Sequence, residues 1–158
     1  MPSLIDNYIL ERKVGEGTSG EVFKGKEKCK PYRPVAVKFI PKKSLSSAGR
    51  ENLLNEISSL KKLKYNFIIQ MMDFSWNDTH VYIVLEYANA GDLSGFIKKR
   101  KVLSESLAQI FCQQLCSALL FMRTHNISHM DLKPSNLLLH KFSPNRNPVL
   151  KAGNENAF

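Results

Sequence analysis

The sequence predicts an α+β fold in two parts: a small antiparallel β-sheet lobe with one helix, then a mainly helical lobe. Three observations point there. Short strand-like stretches recur from Tyr8 to Tyr87, interrupted by a single amphipathic helical stretch near residues 47–64. The pattern then loosens at Ala88-Asn89-Ala90-Gly91. Beyond it, residues 104–124 are apolar around much of a helical circumference, which in a stable helix means burial on several sides. The expected division is a first lobe over residues 7–87, a hinge over 88–91 and a second lobe over 92–158. A length of 158 residues suits one domain and can bury a real core.

Bulk properties exclude several classes. There is no repeat and no low-complexity tract. The N-terminus lacks the charged and apolar regions of a signal peptide, and no apolar run approaches the length that spans a bilayer. Cys29, Cys112 and Cys116 are odd in number with no framework spacing, which fits a reducing compartment and a cytoplasmic location. The formal charge of +9 is uneven: residues 1–64 hold 14 Lys/Arg against 7 Asp/Glu. Such a field favours anions. No basic patch interleaved with aromatics argues for nucleic acid.

Taken in order, residues 8–14 alternate as a strand should. Gly15-Glu16-Gly17-Thr18-Ser19-Gly20 follows, then a second strand pattern from Glu21. Three glycines in six residues give a backbone that can turn tightly and approach a ligand without Cβ interference. A dinucleotide-binding turn would need a helix straight after the loop and an acidic residue some 20 positions on. Here a strand pattern follows, and the later window holds Lys38-Phe39-Ile40. A strand–loop–strand hairpin over phosphates and an ordinary Gly-rich hairpin both remain open at this point.

Pro34-Val35-Ala36-Val37-Lys38-Phe39-Ile40 reads as a buried strand containing a lysine. A desolvated ammonium is costly unless paired, so Lys38 wants an anion unless it snorkels to water. At 100° per residue, Leu53, Ile57, Leu60 and Leu63 form one stripe of the helix over residues 47–64. Glu56 falls inside that stripe and Glu51 on the opposite face. A carboxylate in an apolar stripe needs a cation, and the economical solution pairs Glu56 with Lys38.

Residues 67–74 and 80–87 read as two further strands, with Asn77-Asp78 turning between them. Asp92 would cap the short helix that follows or meet a ribose hydroxyl. Ser104 starts the long helix, with Glu105 placed against its dipole. Cys112, Cys116, His125 and His129 faintly suggest zinc, but the spacer is short and both cysteines fall inside a helical core pattern, so core cysteines are expected.

His129-Met130-Asp131-Leu132-Lys133-Pro134-Ser135-Asn136 then packs an acid, a base and an amide into eight residues. It resembles the catalytic loop of protein kinases, His-Arg-Asp-Leu-x-x-x-Asn. The order of Gly loop, Val-Ala-Val-Lys, helix glutamate, apolar strand and this loop is similar to a protein kinase over residues 7–151, of serine/threonine type. Glu51-Asn52-Leu53-Leu54-Asn55-Glu56-Ile57, Gly91-Asp92-Leu93 and the residues 127–134 look most like the autophagy-initiating ULK kinases.

The resemblance implies ATP and Mg²⁺ as cofactors and a protein Ser/Thr hydroxyl as phosphoryl acceptor. Backbone at Gly15, Gly17 and Gly20 would cover the phosphates, with Val22 and Ala36 against adenine. Lys38, steadied by Glu56, would hold the α- and β-phosphates. Leu85 would take the gatekeeper place, and Glu86 to Ala88 would present main-chain groups to adenine. Asp131 would accept the hydroxyl proton, Lys133 would neutralise charge, and Asn136 would bind Mg²⁺.

Two departures stand against the family pattern. Met130 replaces the Arg that answers a phosphate on the activation loop. Asn154-Glu155-Asn156 stands where Asp-Phe-Gly is expected, and a neutral amide lacks a carboxylate's charge for Mg²⁺. The expectation is a truncated kinase domain with an incomplete helical lobe, whose long helix exposes apolar surface to a protein partner. The alternative is a catalytically inactive kinase-like module that binds nucleotide or a partner.

Overall fold

A computed structural model describes residues 7–17 and 20–153. The chain forms two compact units, one comprising residues up to Lys62 with 70–87, the other residues 63–69 with 88–153.

The first unit is a five-stranded antiparallel sheet with one helix. Its strands are β1 (Tyr8–Gly17), β2 (Gly20–Glu27), β3 (Pro34–Pro41), β4 (Met71–Trp76) and β5 (His80–Glu86), in the order β1-β2-β3-β5-β4. Helix α1 spans Ser47–Lys62. The first two strands form a hairpin in which Gly17 stands opposite Gly20. No helix follows the glycine loop, so the dinucleotide-binding alternative is excluded.

Register assigns the faces. Val22 pairs with Lys38, Ala36 with Leu85 and Lys38 with Ile83. Directly opposed residues share a face, as do residues two apart on a strand. One face therefore carries Val22, Ala36, Lys38, Ile83 and Leu85, all at most 1% exposed. The other carries Val35, Val37 and Val84, with Tyr8, Leu10 and Phe39 packed against them. There Phe39 meets Phe23 and Tyr82 edge to face, each with ring centroids 5.0 Å apart. Leu53, Ile57 and Leu60 of α1 are buried, as the stripe predicts, and Glu51 is exposed.

The second unit contains α2 (Leu93–Arg100), α3 (Glu105–Thr124) and a two-stranded hairpin of β6 (Leu137–His140) and β7 (Val149–Ala152). Asp92 caps α2, its Oδ1 accepting from the Gly95 N–H at 2.8 Å, which realises the capping alternative. Ser104 caps α3. The core gathers Leu107, Phe111, Ala118 and Met122 of α3 with Leu137, Leu139, Leu150 and Ala152 of the hairpin.

Two expectations are corrected. The strand expected over residues 67–74 begins only at Met71. Before it, Leu63 and Ile68 enter the second unit's core, and Tyr65 stacks on Phe121 with centroids 4.5 Å apart. The apolar run Phe67-Ile68-Ile69 thus serves burial in the second unit, where Ile68 makes a single parallel bridge to Ala152 of β7 in place of a regular strand. Cys112 and Cys116 are exposed free thiols instead of core residues. They lie on the side of α3 that also exposes Leu120 (63%), because one side of the helix, and not its whole circumference, faces the core.

Candidate active site

The loop after α3 is built by backbone constraints before any side chain is considered. His129 is buried and anchors one end, and neither of its ring nitrogens has a hydrogen-bond partner among the described residues. Met130 then adopts φ +62°, and the Asp131 N–H closes back onto the His129 carbonyl at 2.8 Å. A three-residue turn with a left-handed centre is rare and strained. Residues held this way cost about 1–3 kcal/mol and cluster at functional sites. Met130 itself is 91% exposed, so its side chain contributes no packing in return.

The turn delivers the Asp131 carboxylate to two partners. Lys133 Nζ lies 2.7 Å from Oδ2. Asn136 Nδ2 donates to the same Oδ2 at 2.6 Å and to the Asp131 carbonyl at 2.9 Å. Pro134 opens the single 3₁₀ turn Pro134–Asn136, where its missing N–H costs nothing. The turn closes through Asn136 N–H on the Lys133 carbonyl at 2.9 Å. Asn136 is buried, and its own carbonyl accepts from Gly153 N–H at 2.9 Å, which ties it to the strand beyond. Lys133 holds the Asp131 carboxyl below the usual carboxylate range, with the Asn136 amide adding to this against opposing desolvation.

Two positioning side chains carry no obvious signal in the sequence. Gln114 of α3 accepts the Leu150 N–H at 2.7 Å, and so holds β7 against the helix. Asn89 donates to the Lys141 carbonyl at 3.0 Å and accepts its N–H at 2.7 Å, so one amide fixes the β6–β7 connection. Gln114 is one of three glutamines of α3, with Gln109 and Gln113, so residue type alone does not single it out.

In the first unit, Val22, Ala36 and Lys38 share the face described above. Lys38 is fully buried. It carries an interaction partner, as a buried ammonium must. Helix α1 lies on this same face, since Leu53 and Ile57 enclose a cavity of about 240 Å³ with Val81 and Trp76. The side chain of Glu56 lies outside the described residues, as do Asn154, Glu155 and Asn156. Gly20 has φ +150°, and a Cβ there would run into the Phe39 carbonyl oxygen, so only glycine fits this approach of β2 to β3. The Glu86 N–H is taken by the Gln70 carbonyl at 2.8 Å, and Ala88 is buried at the start of the second unit's second segment.

Among the described residues no cluster of three His, Cys, Asp or Glu side chains is placed to hold a metal. Asn136 Oδ1 nonetheless has no hydrogen-bond donor among the described residues, since both side-chain bonds to them come from Nδ2. Oxygen donors of that type suit Mg²⁺. No described helix is long and apolar enough to cross a membrane.

The protein kinase domain family matches residues 8–151, and the chain belongs to that family. It is 45% identical over 138 residues to the human serine/threonine-protein kinase ULK3, covering 87% of this chain and 29% of that protein. It is 38% identical over 156 residues to human ULK1, covering 97% of this chain and 14% of ULK1. To serine/threonine-protein kinase atg1 of Schizosaccharomyces pombe it is 33% identical, covering 85% and 19% respectively. The chain thus spans less than a third of the length of these relatives.

Proposed function

We propose that this chain carries out phosphoryl transfer from Mg-ATP to serine or threonine hydroxyls of a protein. The observation that carries the reading is the Asp131 carboxylate held jointly by Lys133 and Asn136. Phosphoryl transfer through a loose transition state asks mainly for positioning and charge neutralisation. A carboxylate kept ionised is a weak base suited to orienting a hydroxyl and taking its proton late. Lys133 supplies positive charge beside it. Similarity to relatives named as serine/threonine kinases supports the same reading.

On this reading the backbone of Gly15, Gly17 and Gly20 covers the phosphates, and Val22 and Ala36 form an apolar floor for adenine. Lys38 engages the α- and β-phosphates with Glu56 as its partner, while Glu86 and Ala88 offer main-chain groups to the base. Asn136 Oδ1 would hold Mg²⁺, which would supply positive charge against the negative charge of the phosphates. A cytoplasmic location belongs to the same reading and is supported by three free cysteines. The exposed Leu120 side of α3 supports the expected protein partner.

The test is Mg-ATP phosphotransfer to a Ser/Thr peptide, with nucleotide binding measured in parallel. Wild type should turn over, and Asp131→Asn should lower the rate by about 10²–10⁴-fold while still binding ATP. Binding without turnover in the wild type would instead identify a nucleotide-binding module.

A further inference from the structure

Six of the nine Lys and Arg residues beyond position 64 lie in two short stretches, Lys98–Lys101 and Lys141–Arg146. The fold brings four of them to one place. Lys99, Arg100, Lys141 and Arg146 line a cleft of about 650 Å³ in the second unit. One face of α2 forms its wall: Asp92, Gly95, Phe96, Lys99 and Arg100 are spaced as i, i+3, i+4, i+7 and i+8. The connection between β6 and β7 forms the other wall, pinned there by Asn89.

A solvated basic surface would ordinarily be threaded with carboxylates, and this one is not. Helix α2 has no acidic residue. Asp92, the acidic group of the cleft, is spent on capping. Among the described residues no carboxylate lies within ion-pair distance of any of the four cations. The helix dipole accounts for Lys99 and Arg100 in a last turn. It does not account for Lys141 and Arg146, which come from a different element. Four like charges gathered with no carboxylate partner among the described residues raise the local potential and attract anions.

Shape and apolar content narrow the ligand. The wall along α2 is about 12 Å long at 1.5 Å per residue, the span of about four extended residues. Apolar surface lies beside the charges, from Phe96 on one wall and from Pro144 and Pro148 on the other. The Phe96 ring is already covered by the Arg100 guanidinium at 4.5 Å, so it does not offer a bare face for base stacking. A bilayer is bound by an amphipathic face laid in the plane of its surface, whereas these charges line a cleft. We propose that this cleft docks an acidic segment of a partner protein, with one apolar side chain of that segment set against Pro148.

The location gives the docking a consequence. Helix α2 packs against the Pro134–Asn136 turn, and Ala90 and Gly91 are hydrogen-bonded to Leu139. A segment held in the cleft is therefore held at a fixed distance from Asp131, which raises the effective concentration of whatever it is attached to. Docking itself needs no phosphoryl transfer, and its test is independent of that reading.

The test is anisotropy titration of the full chain, without nucleotide, against a fluorescein-labelled Glu-rich peptide with a central Leu. A Gln-for-Glu version of the peptide serves as control. Lys99→Glu with Arg146→Glu should weaken binding by about tenfold or more, and added salt should weaken binding to wild type. Lys28→Glu with Lys43→Glu, the same charge change on the first unit, should shift it by less than about twofold. Lys141→Ala, a milder exposed change, should weaken binding by about threefold with an unchanged melting curve. Equal loss in the two charge-reversal pairs, or equal binding of the Gln peptide, would overturn the proposal. So would stronger competition at these residues by inorganic phosphate, an RNA oligomer or anionic vesicles than by unlabelled Glu peptide.

Discussion

One amide nitrogen of Asn136 holds Asp131 twice, at its carbonyl and at its carboxylate, 2.9 and 2.6 Å away. The first bond shapes the loop and the second aims the side chain. Asn136→Ala removes both and leaves the Asp131 carbonyl to find water. The variant should lose about 1–3 kcal/mol of stability by urea denaturation, the usual cost of unmaking a part-buried polar contact. On the proposed chemistry, phosphotransfer should fall by about 10²-fold or more, because the carboxylate loses its orientation. A fully active, equally stable Asn136→Ala protein would contradict this account of the loop.

Lys133 is the principal reason that Asp131 ionises below the usual carboxylate range. Lys133→Met should therefore move the Asp131 carboxyl upward toward its ordinary value in an NMR titration. The sign for stability follows. A folded value below the unfolded one contributes stability that is present above the unfolded value and is lost as pH falls through the folded one. Removing Lys133 should weaken that acid dependence. An unmoved titration would show that the ion pair is absent in solution.

The burial of Lys38 and of one face of α1 was legible because the residues there stand out against their local pattern. A lysine in the strand Val35-Ala36-Val37-Lys38 must be paired, and it is fully buried with a partner. The burial of Leu53, Ile57 and Leu60 similarly follows from 3.6-residue spacing. Spacing failed where apolar content had two possible uses. Phe67-Ile68-Ile69 looks like a strand, yet Ile68 fills the core beneath α3. Residues around α3 look buried on several sides, yet Cys112 and Cys116 face outward. The basic cleft was illegible for a different reason. Lys99 and Arg146 are far apart in sequence, and only the fold brings them to the lining of one cleft.

Gly20 offers the sharpest separation of backbone from side-chain effects in the glycine loop. A Cβ added there would collide with the Phe39 carbonyl and approach its carbonyl carbon to 2.9 Å. Phe39 cannot retreat, because β3 is paired with β2 on one side and β5 on the other. Its ring is also held between Phe23 and Tyr82. Gly20→Ala should thus cost about 1–3 kcal/mol, since it combines strain at positive φ with the clash. Gly15 is a matched control from the same loop, where a Cβ would touch only the Val22 Cβ at 3.9 Å. Gly15→Ala should change stability by less than about 1 kcal/mol, with a smaller unfolded-state entropy working in its favour. Calorimetric melts of the two variants decide the matter: similar melting temperatures would mean that the β2–β3 approach at Gly20 is not as close as the structure has it.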